Sequence, residues 1–200
     1  MPKPTHRDKD RRPHAPSSVA RAPASLGAAA AQIFLAGDRM NQAILQHLDP
    51  AAWQARLPSA QPNARTIAAL FTHTHNVRAK WIRLTAPDLG VPAQLNRTRC
   101  TPEQARTALA ESAARCAELL ARLMDDPSGQ FRRDGTAAPW PAGPAMLAYM
   151  LAHEAHHRGQ ALMLAHQLGC ALPRQIADGI WNWEKLWKEC GFAGGPGRKS

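Results

Sequence analysis

The sequence predicts an all-α protein, a four-helix bundle with an accessory C-terminal helix. Alanine and aliphatic side chains dominate, with a single tyrosine and few β-branched runs. Apolar residues recur at gaps of three and four over four long segments, the period of a helix with one buried face. Proline-, glycine- and aspartate-containing stretches separate those segments. A chain of 200 residues suits one domain with a substantial core, plus tails.

Residues 1–24 mix Pro2, Pro4, Pro13, Pro16 and Pro23 with charges and serines. That composition buries too little apolar area to offset the entropy of ordering, and a disordered basic tail is expected. The bundle is expected over residues 25–190. Its first helix runs from Leu26 to about Leu48 through Ile33, Phe34, Met40 and Ile44, and Asp49-Pro50 ends it. After a linker with Trp53, Pro58 and Pro62, the second helix spans about Arg65 to Leu84. Ile67, Leu70, His73, Val77, Trp81 and Leu84 mark its expected inner face. Residues 87–100 read as loop. Thr101-Pro102-Glu103-Gln104 opens the third helix, Thr as the cap and Pro in the first turn. It runs to about Met124, and the stretch from Asp125 to Gly129 stops it.

A longer loop around Trp140 is expected over residues 130–143. Pro144 opens the fourth helix, which reaches Leu168 before Gly169 as its stop. Its inward stripe is expected at Met146, Met150, His153, His157, Gln160 or Ala161, Leu164 and Leu168, with His166 in solvent. A short fifth helix from Ile176 to Glu189 carries Trp181, Trp183 and Trp187, expected as packing or dimer contacts. Residues 191–200 read as a flexible C-terminal tail.

The formal net charge is +10, but the basicity is largely terminal. Residues 1–25 hold six Lys/Arg against two Asp, and Arg198 and Lys199 add two more. The body is therefore only mildly basic, which disfavours a nucleic-acid-binding domain. Cys100, Cys116, Cys170 and Cys190 show no CxxC spacing and read as reduced thiols. No apolar run reaches membrane-spanning length, no secretory apolar core stands near the N-terminus, and Asp8 and Asp10 count against a transit peptide. A cytoplasmic protein without a membrane partner is expected.

The chemistry concentrates in His153-Glu154-Ala155-His156-His157-Arg158-Gly159-Gln160. Histidines at i and i+4 project from one face, so His153 and His157 suit one divalent ion. His73, on the inner stripe of the second helix, is the expected third ligand. His75 lies about 200° round the axis from it, so one helix does not direct both into one centre. Three neutral imidazoles leave positions open for water or substrate. Ligand type leaves Zn²⁺, Ni²⁺, Mn²⁺ and Fe²⁺ open.

The segment from Leu70 to Arg78, followed by Trp81-Ile82 and the later HEAHHRGQ, resembles the DinB/YfiT-like family of metal-binding helical bundles over about residues 26–190. The resemblance implies metal ligands at His73, His153 and His157, with Trp81 as the aromatic that follows the first histidine and His75 as the competitor. It further implies a metal site facing a pocket, a homodimer, and transfer reactions in which a low-molecular-weight thiol is metal-activated. A metal-dependent hydrolase or thiol S-transferase is the enzymatic expectation.

Two other readings stand beside it. His153-Glu154-Ala155-His156-His157 satisfies the HExxH pattern, in which the glutamate is a metalloprotease's general base. The extended pattern fails at Gln160 and Met163, Glu184 or Glu189 would have to serve as third ligand, and His73 would be unexplained. The bundle reading makes Glu154 a carboxylate behind the ligands or in solvent. The remaining alternative is a non-catalytic metal-binding or stress-associated interaction protein, in which the ion only ties helix two to helix four. Arg158 and Gln160 are expected either as surface groups or as anchors for a substrate or for helix two, and Gly159 as a point of close helix approach.

Overall fold

The computed structural model describes residues 25–58, 61, 63–126, 130–131, 140–141 and 143–190. The expected tails, residues 1–24 and 191–200, lie outside the described residues. Four long helices form the body: α1 (Leu26–His47), α2 (Ile67–Thr85), α3 (Pro102–Asp125) and α4 (Pro144–Gln167). Single 3-10 turns follow α1 at Pro50–Ala52 and α2 at Pro87–Leu89. The expected loop before α4 contains a small antiparallel ribbon, Gln130–Phe131 against Trp140–Pro141. The expected fifth helix is two short ones, α5 (Arg174–Gly179) and α6 (Trp183–Glu189), broken at residues 180–182.

The helix ends are encoded locally. Thr101 accepts from the Gln104 backbone while the Gln104 side chain accepts from the Thr101 N–H, a reciprocal cap that fixes where α3 starts. Pro144 sits in the first turn of α4. Gly169 stops that helix with φ +74, a conformation open to glycine, and the Cys170 N–H reaches back to the Ala165 carbonyl. Gly27 lets α1 touch α3: a Cβ there would stand 2.4 Å from the Ala121 carbonyl, and its N–H donates to Asp125 at 2.9 Å.

Two apolar clusters fill the bundle. One gathers Ile44, Leu45, Trp53, Ile67, Phe71, Leu109 and Ala161; the other gathers Phe34, Trp81, Ile82, Leu119, Leu120, Met146 and Met150. Between them lies a polar layer. Every long helix crosses it, contributing Asp38 and Asn41, His75 and Arg78, Ser112, and Glu154 and His157, all buried.

This layering rotates two of the predicted inner faces. The buried ridge of α2 runs through Ile67, Phe71, His75, Arg78 and Ile82, so His75 is the core histidine and His73 stands at the edge. On α4 the buried positions are Met146, Met150, Glu154, His157, Ala161 and Ala165, while Gln160 is exposed and Leu164 and Leu168 are half-buried. His166 is exposed, as its position off the stripe predicts. Among the described residues no helix is long and apolar enough to cross a membrane.

Candidate metal centre

α2 and α4 lie side by side, and their facing edges bring His73, His153 and His157 together, with one ligand-capable atom of each within 4.8 Å of the others. The Nε2 atoms of His73 and His153 stand 3.2 Å apart, as do those of His153 and His157. Four donors at roughly 2.05 Å from a tetrahedral ion stand about 3.3 Å apart, so these two spacings suit one divalent metal, with the third pair, His73 and His157, within 4.8 Å. The donor set fits as well, being three neutral nitrogens with no carboxylate in the group. Burial lowers the pKa of all three rings. At His73 burial acts first, followed by His157, His153 and Arg65, bringing the pKa down to about 4. The rings are therefore neutral near pH 7, the form that presents a lone pair to a metal.

Neighbouring groups aim the rings. His157 Nδ1 donates to Gln160 Oε1 at 2.8 Å, which leaves Nε2 as its free lone pair. Tyr149 stacks on His153, ring centroids 5.6 Å apart at 24°, and meets Trp81 edge-on at 5.8 Å. Trp81 thus meets the cluster through Tyr149. His156 is exposed and only touches the edge of His157.

His75 is elsewhere. It is fully buried, with Nε2 2.8 Å from the Ala93 carbonyl and Nδ1 beside the Ala108 carbonyl and Ser112 Oγ at 3.0 and 3.2 Å. Both nitrogens are occupied, and none is left for a metal.

Glu154 is not in solvent. It is 4% exposed, and its carboxylate takes Arg78 in a two-pronged pair at 2.7 and 2.6 Å, with Asn41 at 3.1 Å on Oε2. Arg78 also donates to Asp38 at 2.9 Å and to the Leu109 carbonyl. Burial opposes the Arg78 charge, but Glu154 and Asp38 outweigh it and hold the guanidinium firmly protonated. Arg158 does not reach helix two; it donates to Asn41 and the Gly37 carbonyl on α1. Gly159 meets nothing within 4 Å of an added Cβ, so the expected close helix approach is absent there and the glycine instead lines a cavity. The network Asp38–Arg78–Glu154 locks α4 to α1 and α2 between the two motif histidines and sets which face of α4 meets His73. Sequence reading missed it. The available signal was a charged residue at core spacing, Asp38 between Phe34 and Ile44, and Arg78 between Phe71 and Ile82.

The fold and the convergent imidazoles define an all-helical bundle with a three-histidine cluster able to hold a metal ion. The model of the DinB family matches residues 27–185, and the chain belongs to that family. No curated protein and no solved structure matches it.

Proposed function

We propose that His73, His153 and His157 hold one divalent metal, Zn²⁺, Ni²⁺, Mn²⁺ or Fe²⁺, and that the site acts on a small molecule as a metal-dependent hydrolase or thiol S-transferase. The observation that carries this reading is the convergence of three Nε2 atoms, with a cavity of about 410 Å³ beside His73 and another of about 610 Å³ along the neighbouring face of α4. His73 lines the first and Gln160 the second. An ion held there would supply Lewis acidity, lowering the pKa of a water or low-molecular-weight thiol that reaches its open positions. The chain's own contribution is to keep the three rings neutral, to fix the His157 tautomer through Gln160, and to hold α4 in register through Arg78 and Glu154.

The polar layer weighs against the non-catalytic alternative, because Arg78 and Glu154 already join α2 to α4 without an ion. It also weighs against proteolysis, because the Glu154 oxygens are committed to Arg78 and Asn41. A homodimer is proposed with it, exposed Trp181 and Trp183 offering apolar surface. The test is metal analysis of untagged protein and of single alanine variants, then thiol-transfer and hydrolysis screens of the loaded chain. Loss of metal from His73→Ala, His153→Ala and His157→Ala, with retention in His156→Ala, supports the assignment. Full metal in His73→Ala refutes it.

A further inference from the structure

We propose that the site takes a small anionic ligand, a carboxylate or phosphate ester, whose charge is held by Arg65 and Arg97 in the cavity beside His73. This rests on the metal-site reading above and names the substrate class for it. The cavity of about 410 Å³ has the size of a small-molecule site and is lined by His73, Arg65, Arg97, Asn76 and Thr98 among others. Arg65 and Arg97 also border a second cavity of about 210 Å³, and Arg65 the more apolar one on the α4 side. Arg65 therefore borders all three cavities, and Arg97 the two on the α2 side.

Charge makes the case. Among the described residues, no Asp or Glu lines any of these three cavities. No carboxylate lies within ion-pair distance of Arg65 or Arg97 there either. Arg106, Arg115 and Arg122, on the outer face of α3, are all paired. The carboxylate nearest in sequence to His153 and His157, Glu154, is turned into the core onto Arg78, as is Asp38 of α1. Three neutral imidazoles bring no negative charge to a divalent ion. With a divalent ion bound, the site would combine an uncompensated dication with two guanidiniums that, among the described residues, have no carboxylate partner, and an anion is what would neutralise it.

Arg97 is also carried on a fixed loop. His75 Nε2 holds the Ala93 carbonyl, and the Asn76 side chain pairs with both the N–H and the carbonyl of Leu95, at 2.9 and 3.0 Å. The Gln54 side chain donates to the Arg97 carbonyl itself at 3.1 Å. Those bonds tie the loop to α2 two to four residues before Arg97, and to the segment between α1 and α2 at Arg97 itself, so the position of its backbone is set before a ligand arrives.

The experiment titrates the full chain, loaded with one equivalent of zinc, with succinate and with inorganic phosphate at fixed ionic strength, using neutral succinamide as control. The same titrations are run on R65Q/R97Q and on R106Q, and the metal content of each is measured. The expected result is anion binding that weakens roughly tenfold or more in R65Q/R97Q, with R106Q, metal content and succinamide behaviour unchanged. Equal anion affinity in the wild type and R65Q/R97Q overturns the proposal, as does the absence of binding at about 10 mM anion, well above the roughly millimolar Kd of weak sites. If the wild type takes up no zinc, the metal reading fails separately. The titration on the metal-free chain then decides this one, binding lost in R65Q/R97Q supporting it and no binding overturning it.

Discussion

Two histidines two residues apart on α2 have opposite surroundings. His75 is fully buried in the polar layer, with both nitrogens against oxygen partners from α3 and the loop that follows α2. His73 is half-buried, and its Nε2 faces other imidazole nitrogens. The first has its hydrogen bonds completed by the fold. The second has a lone pair aimed at a space bordered by two more lone-pair donors. A buried polar group is costly unless partnered, and a divalent cation is one partner able to serve three such nitrogens at once. The difference therefore separates a histidine that holds the protein together from one that the protein holds in place.

The comparison breaks most severely at the layer that supports both. Arg78→Met leaves Asp38 and Glu154 buried without their cation and is expected to cost about 3–5 kcal/mol, read by urea unfolding of the metal-free protein. His75→Ala should cost about 2–4 kcal/mol through the cavity and the orphaned Ala93 carbonyl, while the folded fraction still binds one metal. His73→Ala should do the reverse. Its metal affinity is expected to fall by more than about 100-fold, beyond what loss of a supporting residue costs, with metal-free stability changed by less than about 1 kcal/mol. Gln160→Ala releases the His157 tautomer and should weaken metal binding by about tenfold, measured by chelator competition.

The gentlest expected effect is a pH slope. His73, His153 and His157 have pKa values lowered by folding, so the unfolded chain takes up protons first as pH falls. The stability of the metal-free protein is then full above about pH 6.5, the ordinary histidine value, and is lost progressively on acidification. For His73 the window extends down to about pH 4. Unfolding midpoints collected across this range should decline on the acid side, and the slope should flatten in His73→Ala.

Much of this was legible in the residues. Periodicity and end signals located the four long helices, since Thr101-Pro102, Pro144 and Gly169 act through local backbone chemistry. The i, i+4 spacing of His153 and His157 fixed their common face, and the angle between His73 and His75 separated their directions. What periodicity did not reveal is which of those two directions is inward. A stripe search that counts apolar residues places Val77 and Leu84 inside, whereas α2 buries His75 and Arg78 because partners on other helices satisfy them. Those partners, Ser112, Asp38 and Glu154, are distant in sequence, so the polar layer emerges only when the helices are assembled. The break between α5 and α6 was likewise hidden, the tryptophans giving one continuous apolar reading across Trp181 and Trp183.

The most direct test is X-ray absorption at the metal edge on zinc-loaded wild type, His73→Ala and His75→Ala, with zinc per chain determined in each. The expected wild-type signal is three imidazole nitrogens at about 2.0–2.1 Å plus exchangeable light-atom ligands. The imidazole count should fall in His73→Ala and stay at three in the folded fraction of His75→Ala. An unchanged site in His73→Ala, or an imidazole lost in His75→Ala, would contradict the division of labour between the two histidines.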